Sequence, residues 1–410
     1  QTSLYWSLQN VATSAGALAL LPTAKSAKEF GEFLFENEVC PLVNNIICVD
    51  KKSNLERYIA TTMPVRKGVT GSVPLPGWLD KYDFSLAKPE QLLVEENPAC
   101  GFALTANNDT MGEKGDFYIH NFPSHNARAN RISELLNQKK KFSVEDFCSM
   151  QLDLLDLRAQ EVLPELIKIM QESEDTEVQL AVKLLSDWDC CATSESIAAC
   201  LYYPFLDRFW QRKFMHTVLK DDLVNLLPLG APGLNRFDII SFLTPNSPWI
   251  DHKQILKTII QEEMRKVVDR VKLSLGKDYS KWRWGDLHKI QFWHSLSKHN
   301  TWKKLKLGPD DIGGSATTLG MSLHVGRGPG KTSENEVPCR VYHGPAYRLV
   351  VDLADPQSAK FVIAGGNGGR VDSEFCLNQY ATWLKGQYFT LKLKREEVDE
   401  HTIWQFDKIH

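Results

Sequence analysis

Residues 101–110 read GFALTANNDT. Phe102, Leu104 and Ala106 alternate with the period of two that marks a half-buried strand. The run stops on Asn107-Asn108-Asp109-Thr110, and the reading of that stop decides the rest. Asparagines at strand ends commonly make Asx turns, the side-chain oxygen accepting from nearby backbone. Asn108-Asp109-Thr110 also spells a glycosylation sequon. A third reading is chemical: an amide N–H fixed at the end of a rigid strand can stabilise an oxygen as it acquires negative charge. Residues 101–110 by themselves leave the three open.

Upstream, Ala27, Phe30, Phe33 and Leu34 recur at helical spacing and predict a helix over 24–37. NNIICVDKKSNLERYIATTMPV (44–65) reads as a β-hairpin turning at Asp50 to Asn54. VTGSVPLPGW (69–78) is punctuated by glycine and proline and reads as loop. Downstream, residues 128–307 are helical in pattern. Ser143 followed by Asp146 is a helix-start signature, and one helix is expected to carry Phe147, Gln151, Leu154, Leu155 and Arg158 on a single face. Segments 177–188 and 252–271 repeat the helical period, and strand character returns over 313–410 in YRLVVDL (347–353) and AKFVIAGG (359–366). The expectation is an α+β protein in three parts, 1–127, 128–307 and 308–410, with a helical insertion and with the two β blocks in one sheet system.

Composition narrows the function class. Lys plus Arg number 48 against 51 Asp plus Glu, so nothing favours a nucleic acid or an anionic membrane as partner. No apolar run reaches the roughly 20 residues a spanning helix needs. The nine cysteines are odd in number and form no CxxC pair, which points to small buried hydrophobes rather than a disulfide framework. VGRGPGKTS (325–333) has Val325 where a phosphate loop needs glycine, and Pro329 removes an N–H, so it reads as a solvated loop. AGGNGGR (364–370) reads as a turn where backbone approaches something closely. His288 and His294 are six apart, off a common helical face, and with Trp and Phe between them read as packing residues.

GFALTANN is followed by Arg128 in NARANRISELL (126–136), and together these resemble the penicillin acylase family of N-terminal nucleophile hydrolases. LYWSL (4–8), VPLPGW (73–78), KFSVEDFCSMQLD (141–153), WRWGDLH (282–288), GPAYRLVVDL (344–353), GGNGGRVDSEF (365–375) and QYATWLKGQY (379–388) are similar to family segments in the family's order. The resemblance implies an αββα sandwich, here incomplete, and hydrolysis of a linear amide such as an acylated β-lactam or an N-acyl-homoserine lactone. It implies a serine exposed by self-cleavage as nucleophile, with its own α-amino group as base and no cofactor in the reaction. Asn107 matches the family's oxyanion asparagine, and Arg128 the arginine that orients it. Asp116, aligned with one inserted residue, matches a ligand of a structural calcium.

The resemblance also implies departures. The segment LYWSL begins at residue 4, whereas the family's serine lies well upstream of it. The expectation is therefore a downstream fragment, inactive alone, whose partner is the upstream part of the same precursor. The second expectation is a non-catalytic family member acting as a binding or structural protein. Ser373-Glu374-Phe375-Cys376 and GGSATTLG (313–320) differ from the usual family text. A secreted, periplasmic or lysosome-like compartment is implied by the resemblance alone.

Overall fold

The structure, a computed structural model, describes residues 21–36, 44–60, 63–66, 69, 74–110, 126–206, 217, 253–293, 306–325, 339–369 and 372–391. The chain divides into two compact units, Gln1–Gln138 and Lys139–His410.

The first unit is built on a hairpin. Strands β1 (Asn44–Val49) and β2 (Leu55–Ala60) pair antiparallel, with Val49 opposite Leu55. Asp50 closes the turn by accepting from the backbone of Lys52 and Asn54 and from the Asn54 amide. The last of these holds the Asp50 carboxyl below its ordinary range. Helix α1 (Ala27–Glu36) lies on the hairpin, with Leu34 packing among Phe30, Phe33 and Ile46. Gly31 is required there, because the Tyr58 ring occupies the space a Cβ would take. Strands β3 (Pro64–Arg66) and β4 (Phe84–Leu86) make a separate pair, and β5 (Leu93–Glu96) adds to the outside of β2. After β5, Asn97 and Leu55 exchange two hydrogen bonds of 2.8 Å, and a turn closing at Gly101 (φ 79°) redirects the chain.

That turn leads into residues 102–106, and here the expectation changes. The segment has no ladder partner among the described residues, and its burial does not alternate: Phe102 to Thr105 are all half-buried and only Ala106 is buried. The apolar alternation reports partial burial, whereas a ladder needs a neighbouring strand that no local pattern encodes. Helix α2 (Ala127–Asn137) ends the unit.

The second unit has a helical core. Helices α3 (Val144–Met150), α4 (Leu157–Met170), α5 (Thr176–Ser186), α6 (Ala199–Pro204) and α7 (Lys253–Leu275) are described, and all but α3 contribute to one buried cluster that includes Leu166, Leu185, Leu201 and Val267. Ser143 and Asp146 form the expected capping box. The single helix expected through Arg158 is two: α3 ends at Met150, and α4 starts afresh behind Asp156. The Asp156 carboxylate accepts from the backbone N–H of Arg158 and Ala159, an N-cap that satisfies two of the orphan donors of a helix start.

Strand character returns earlier than expected, at β6 (Lys289–Trp293). With β7 (Lys306–Asp311), β8 (Leu323–Val325) and β9 (Arg340–His343) it forms a mixed sheet in the order β7-β6-β9-β8. An antiparallel sheet follows, β10 (Tyr347–Val350), β11 (Lys360–Ile363) and β12 (Phe389–Thr390). Among the described strands every ladder is made within one unit. No helix among the described residues is long and apolar enough to cross a membrane.

Candidate active site

The candidate site lies in the first unit, where residues 106–110 leave the extended segment. Asn107 has φ +62°, the left-handed region, which costs most side chains roughly 1 kcal/mol and which asparagine tolerates best after glycine. The two asparagines then do different work. Asn108 makes the Asx-type contact: its Oδ1 accepts from the Ala106 N–H at 3.0 Å, and its amide reaches the Asp109 carbonyl. The Asn107 side chain is turned to the helix instead, where Arg128 Nη2 donates to its Oδ1 at 2.8 Å.

That single contact fixes the amide's orientation. A guanidinium has five N–H donors and no acceptor, so the amide atom facing it must be the oxygen. The Asn107 NH2 therefore points away from Arg128, and it has no acceptor among the described residues. Asn107 is exposed and Arg128 half-buried. Burial draws the Arg128 pKa down, but a guanidinium stays protonated in a protein, so the fork remains charged. Arg128 is the second residue of α2, between Ala127 and Ala129, which are both buried and hold that first turn in place.

The far end of the turn is tethered to the hairpin. Thr110 donates its hydroxyl to Asn45 Oδ1 at 2.8 Å, and its carbonyl accepts from Arg57 Nη2 at 3.2 Å. Arg57 is itself buried and held by Glu95 at 2.9 Å. Sequence reading missed Arg57 and Asn45, because each sits on a strand more than 50 residues before its partner. The turn is thus fixed at both ends, with one N–H pair left for an external acceptor. Chemically it can donate to an anionic oxygen.

Other candidates fall elsewhere. Asp116, the candidate calcium ligand, lies outside the described residues, as do His294 and residues 326–333 of the glycine-rich loop. His288 is wholly buried in the second unit, stacked on Trp284 at 4.4 Å. Its Nδ1–H donates to the Ile312 carbonyl at 2.8 Å. Burial, with His324 adding to it, holds its pKa well below the ordinary histidine value. The turn after β11 behaves as expected, since a Cβ on Gly366 would collide with the Phe375 carbonyl. Among the described cysteines only Cys190, Cys200 and Cys339 are buried, and Cys100 is exposed; the buried-hydrophobe reading fails for the rest because an isolated cysteine carries no burial signal of its own.

The polar cluster that sequence reading missed is in the second unit. Asp156, fully buried, accepts from Tyr203 Oη at 2.9 Å, Ser315 Oγ at 3.1 Å and Thr317 Oγ1 at 2.6 Å, besides its two helix N–H donors. An acid directly before a helical run was the available signal.

Residues 1–400 match the family described as penicillin amidase, so the chain belongs to the penicillin amidase family, whose members hydrolyse linear amides. Among curated relatives it is similar to the acyl-homoserine lactone acylase QuiP of Pseudomonas syringae pv. tomato. Identity there is 24% over 397 residues, 88% of this chain and 46% of that protein. It is also similar to the penicillin acylase 2 proenzyme of Pseudomonas sp. strain SE83, at 23% identity over 83% of this chain and 43% of that one. The chain thus spans less than half the length of these relatives. Its mixed α+β structure matches a thermostable penicillin G acylase from Alcaligenes faecalis with a TM-score of 0.61 and 16% identity, over 98% of this chain and 74% of that one.

Proposed function

We propose that this chain supplies the oxyanion-binding asparagine of an N-acyl amide hydrolase with the αββα architecture, and that the nucleophile comes from polypeptide outside these 410 residues. The observation that carries the reading is the 2.8 Å bond from Arg128 to the Asn107 amide oxygen. A nucleophilic hydroxyl adds to the amide carbonyl carbon, and the carbonyl π pair moves onto oxygen. Asn107 Nδ2–H donates to that oxygen, Arg128 meanwhile holding the opposite side of the amide. When the C–O π bond re-forms, the amine leaves with a proton and an acyl-enzyme ester remains for water to cleave. A fixed donor works best here because it does not reorganise as charge develops. Arg128 is a positioning residue, since it acts through Asn107.

The names of the relatives, acyl-homoserine lactone acylase and penicillin acylase, support a substrate whose linear amide joins an acyl group to an amino group carried on a lactone or β-lactam ring. The test is to assay the complete, self-processed gene product against a panel of N-acyl-homoserine lactones and acylated β-lactams, following release of the primary amine. A fall of about 10²–10³-fold in turnover in Asn107→Ala is the expected outcome, with no turnover from the 410-residue chain alone. Wild-type turnover that Asn107→Ala leaves unchanged would overturn the reading.

A further inference from the structure

Asn45 and Ile47 on β1, Arg57 and Ile59 on β2, and Glu95 on β5 share one face of the three-stranded sheet in the first unit. The register fixes this, since Asn45 lies opposite Ile59, Ile47 opposite Arg57, and Arg57 opposite Glu95. Helix α1 covers the other face, where Ile46 packs near Leu34 and Tyr58 fills the space beside Gly31. The polar side chains of the first face converge on one residue. Thr110 donates its hydroxyl to Asn45 at 2.8 Å, and its carbonyl accepts from Arg57 Nη2 at 3.2 Å. Glu95 accepts from Arg57 Nε at 2.9 Å, which sets the plane of the guanidinium. Three strands thus contribute one side chain each to a seat for the residue three places after Asn107.

Stability alone does not explain this seat. Arg57 is 4% exposed, lies between Leu55 and Ile59 along its own face of β2, and meets Ile47 across the ladder. Its Nη1 is buried with no hydrogen-bond partner among the described residues. A buried ion pair with an unsatisfied donor is often less stable than neutral side chains of similar volume. What the seat does hold is the turn. Asn107 stands at φ +62°, a conformation that persists only where surrounding contacts over-determine it. Asn108 closes the turn on the Ala106 N–H, and Arg128 grips the Asn107 amide oxygen. The bonds at Thr110 anchor that closed turn to the sheet. We propose that Arg57, oriented by Glu95 and assisted by Asn45, is a positioning residue for the reaction: it seats the Thr110 carbonyl and so holds the left-handed turn that aims the Asn107 N–H at the substrate oxygen. This rests on the oxyanion reading of Asn107. A donor that wanders loses preorganisation, so the loss falls on the transition state and not on substrate binding.

The test is a kcat, KM and Tm comparison on the complete gene product. Arg57→Met combined with Glu95→Gln removes the pair without leaving an unpaired charge. It should lower kcat about tenfold with KM unchanged, while Tm holds or rises. A lower Tm with kcat per folded molecule unchanged is what a structural role gives, and it would overturn the proposal. Thr110→Val is the second arm, and it decides alone if the double variant does not fold. It keeps the side-chain shape and removes the hydroxyl bond to Asn45, so kcat should fall several-fold and Thr110→Ser should restore it. Unchanged kcat in Thr110→Val would overturn the proposal as well. Both changes are then repeated on Asn107→Ala, where the further loss should vanish. A loss that persists there would mean that Arg57 acts other than through Asn107, which contradicts the role assigned to it. A large fall in Asn107→Ala beside no effect at Arg57 and Thr110 would remove the seat and leave the hydrolase reading standing. Turnover unchanged in Asn107→Ala would remove the hydrolase reading, and the role of Arg57 with it.

Discussion

Asn107 and Asp156 are both short polar side chains beside the start of a helical segment, yet the molecule treats them in opposite ways. Asp156 is fully buried and takes five donors, so neither carboxylate oxygen is left for anything else. Asn107 is exposed, sits at positive φ, and is held through its oxygen only. Complete satisfaction in a dry site is how a polar group serves architecture. A strained backbone with one side of an amide pinned and the other free is how it serves chemistry. Under the proposed function, the contrast makes Asp156 a stability residue and Asn107 an activity residue.

The comparison can be broken from either side. Asp156→Ala should cost about 3–5 kcal/mol of stability, because it strands the Tyr203, Ser315 and Thr317 hydroxyls and removes a helix cap; urea unfolding of the 410-residue chain reads this directly. A loss near that of a surface substitution would mean the network is not structural. Next comes Asn107→Gly, which keeps the left-handed backbone without strain. In the complete product it should lower kcat by about 10²–10³-fold, or roughly 2.7–4 kcal/mol, while stability holds or rises slightly. Arg128→Lys keeps the charge and loses the fork, so about a tenfold fall in kcat with little change in KM is expected.

The smallest effect is on pH dependence. Burial holds the His288 pKa below its unfolded value, so its contribution is complete above about pH 6.5 and is lost as pH falls towards the folded pKa. The loss is at most about 1.4 kcal/mol per pH unit, because the unfolded chain binds the proton first. His288 faces His324 at 5.0 Å and Trp284. Carboxylates such as Asp50 and Glu195, whose pKa values are lowered by hydrogen bonds, act in the same direction. The His288 share is therefore the difference in slope between the wild type and His288→Asn. Identical slopes would show that His288 is neutral in neither state alone.

What could be read in the sequence was what neighbours along the chain decide. The hairpin at 44–60, the capping box of Ser143 and Asp146, and the close approach at Gly366 all depend on contacts within about a dozen residues, and each is present. Asn107 and Arg128 were legible through family likeness; spacing alone could not distinguish the Asx turn from the oxyanion donor. In the structure Asn108 makes the local backbone contact, and the Asn107 amide is held by Arg128. What failed depended on distant partners. Residues 102–106 alternate like a strand, but pairing is decided by a neighbour that the alternation does not name. Asp156 breaks a continuous apolar period because Ser315 and Thr317, 159 and 161 residues away, make a buried carboxylate tolerable there.

The central claim is that a guanidinium acts on the reaction only through the amide it holds. A double-mutant cycle of Asn107→Ala, Arg128→Ala and the pair, read as kcat on one acyl amide with the complete product, tests it most directly. The account predicts strong non-additivity, the double variant being no slower than Asn107→Ala alone. Losses that multiply would contradict it, since Arg128 would then be acting on the substrate or the fold independently of Asn107.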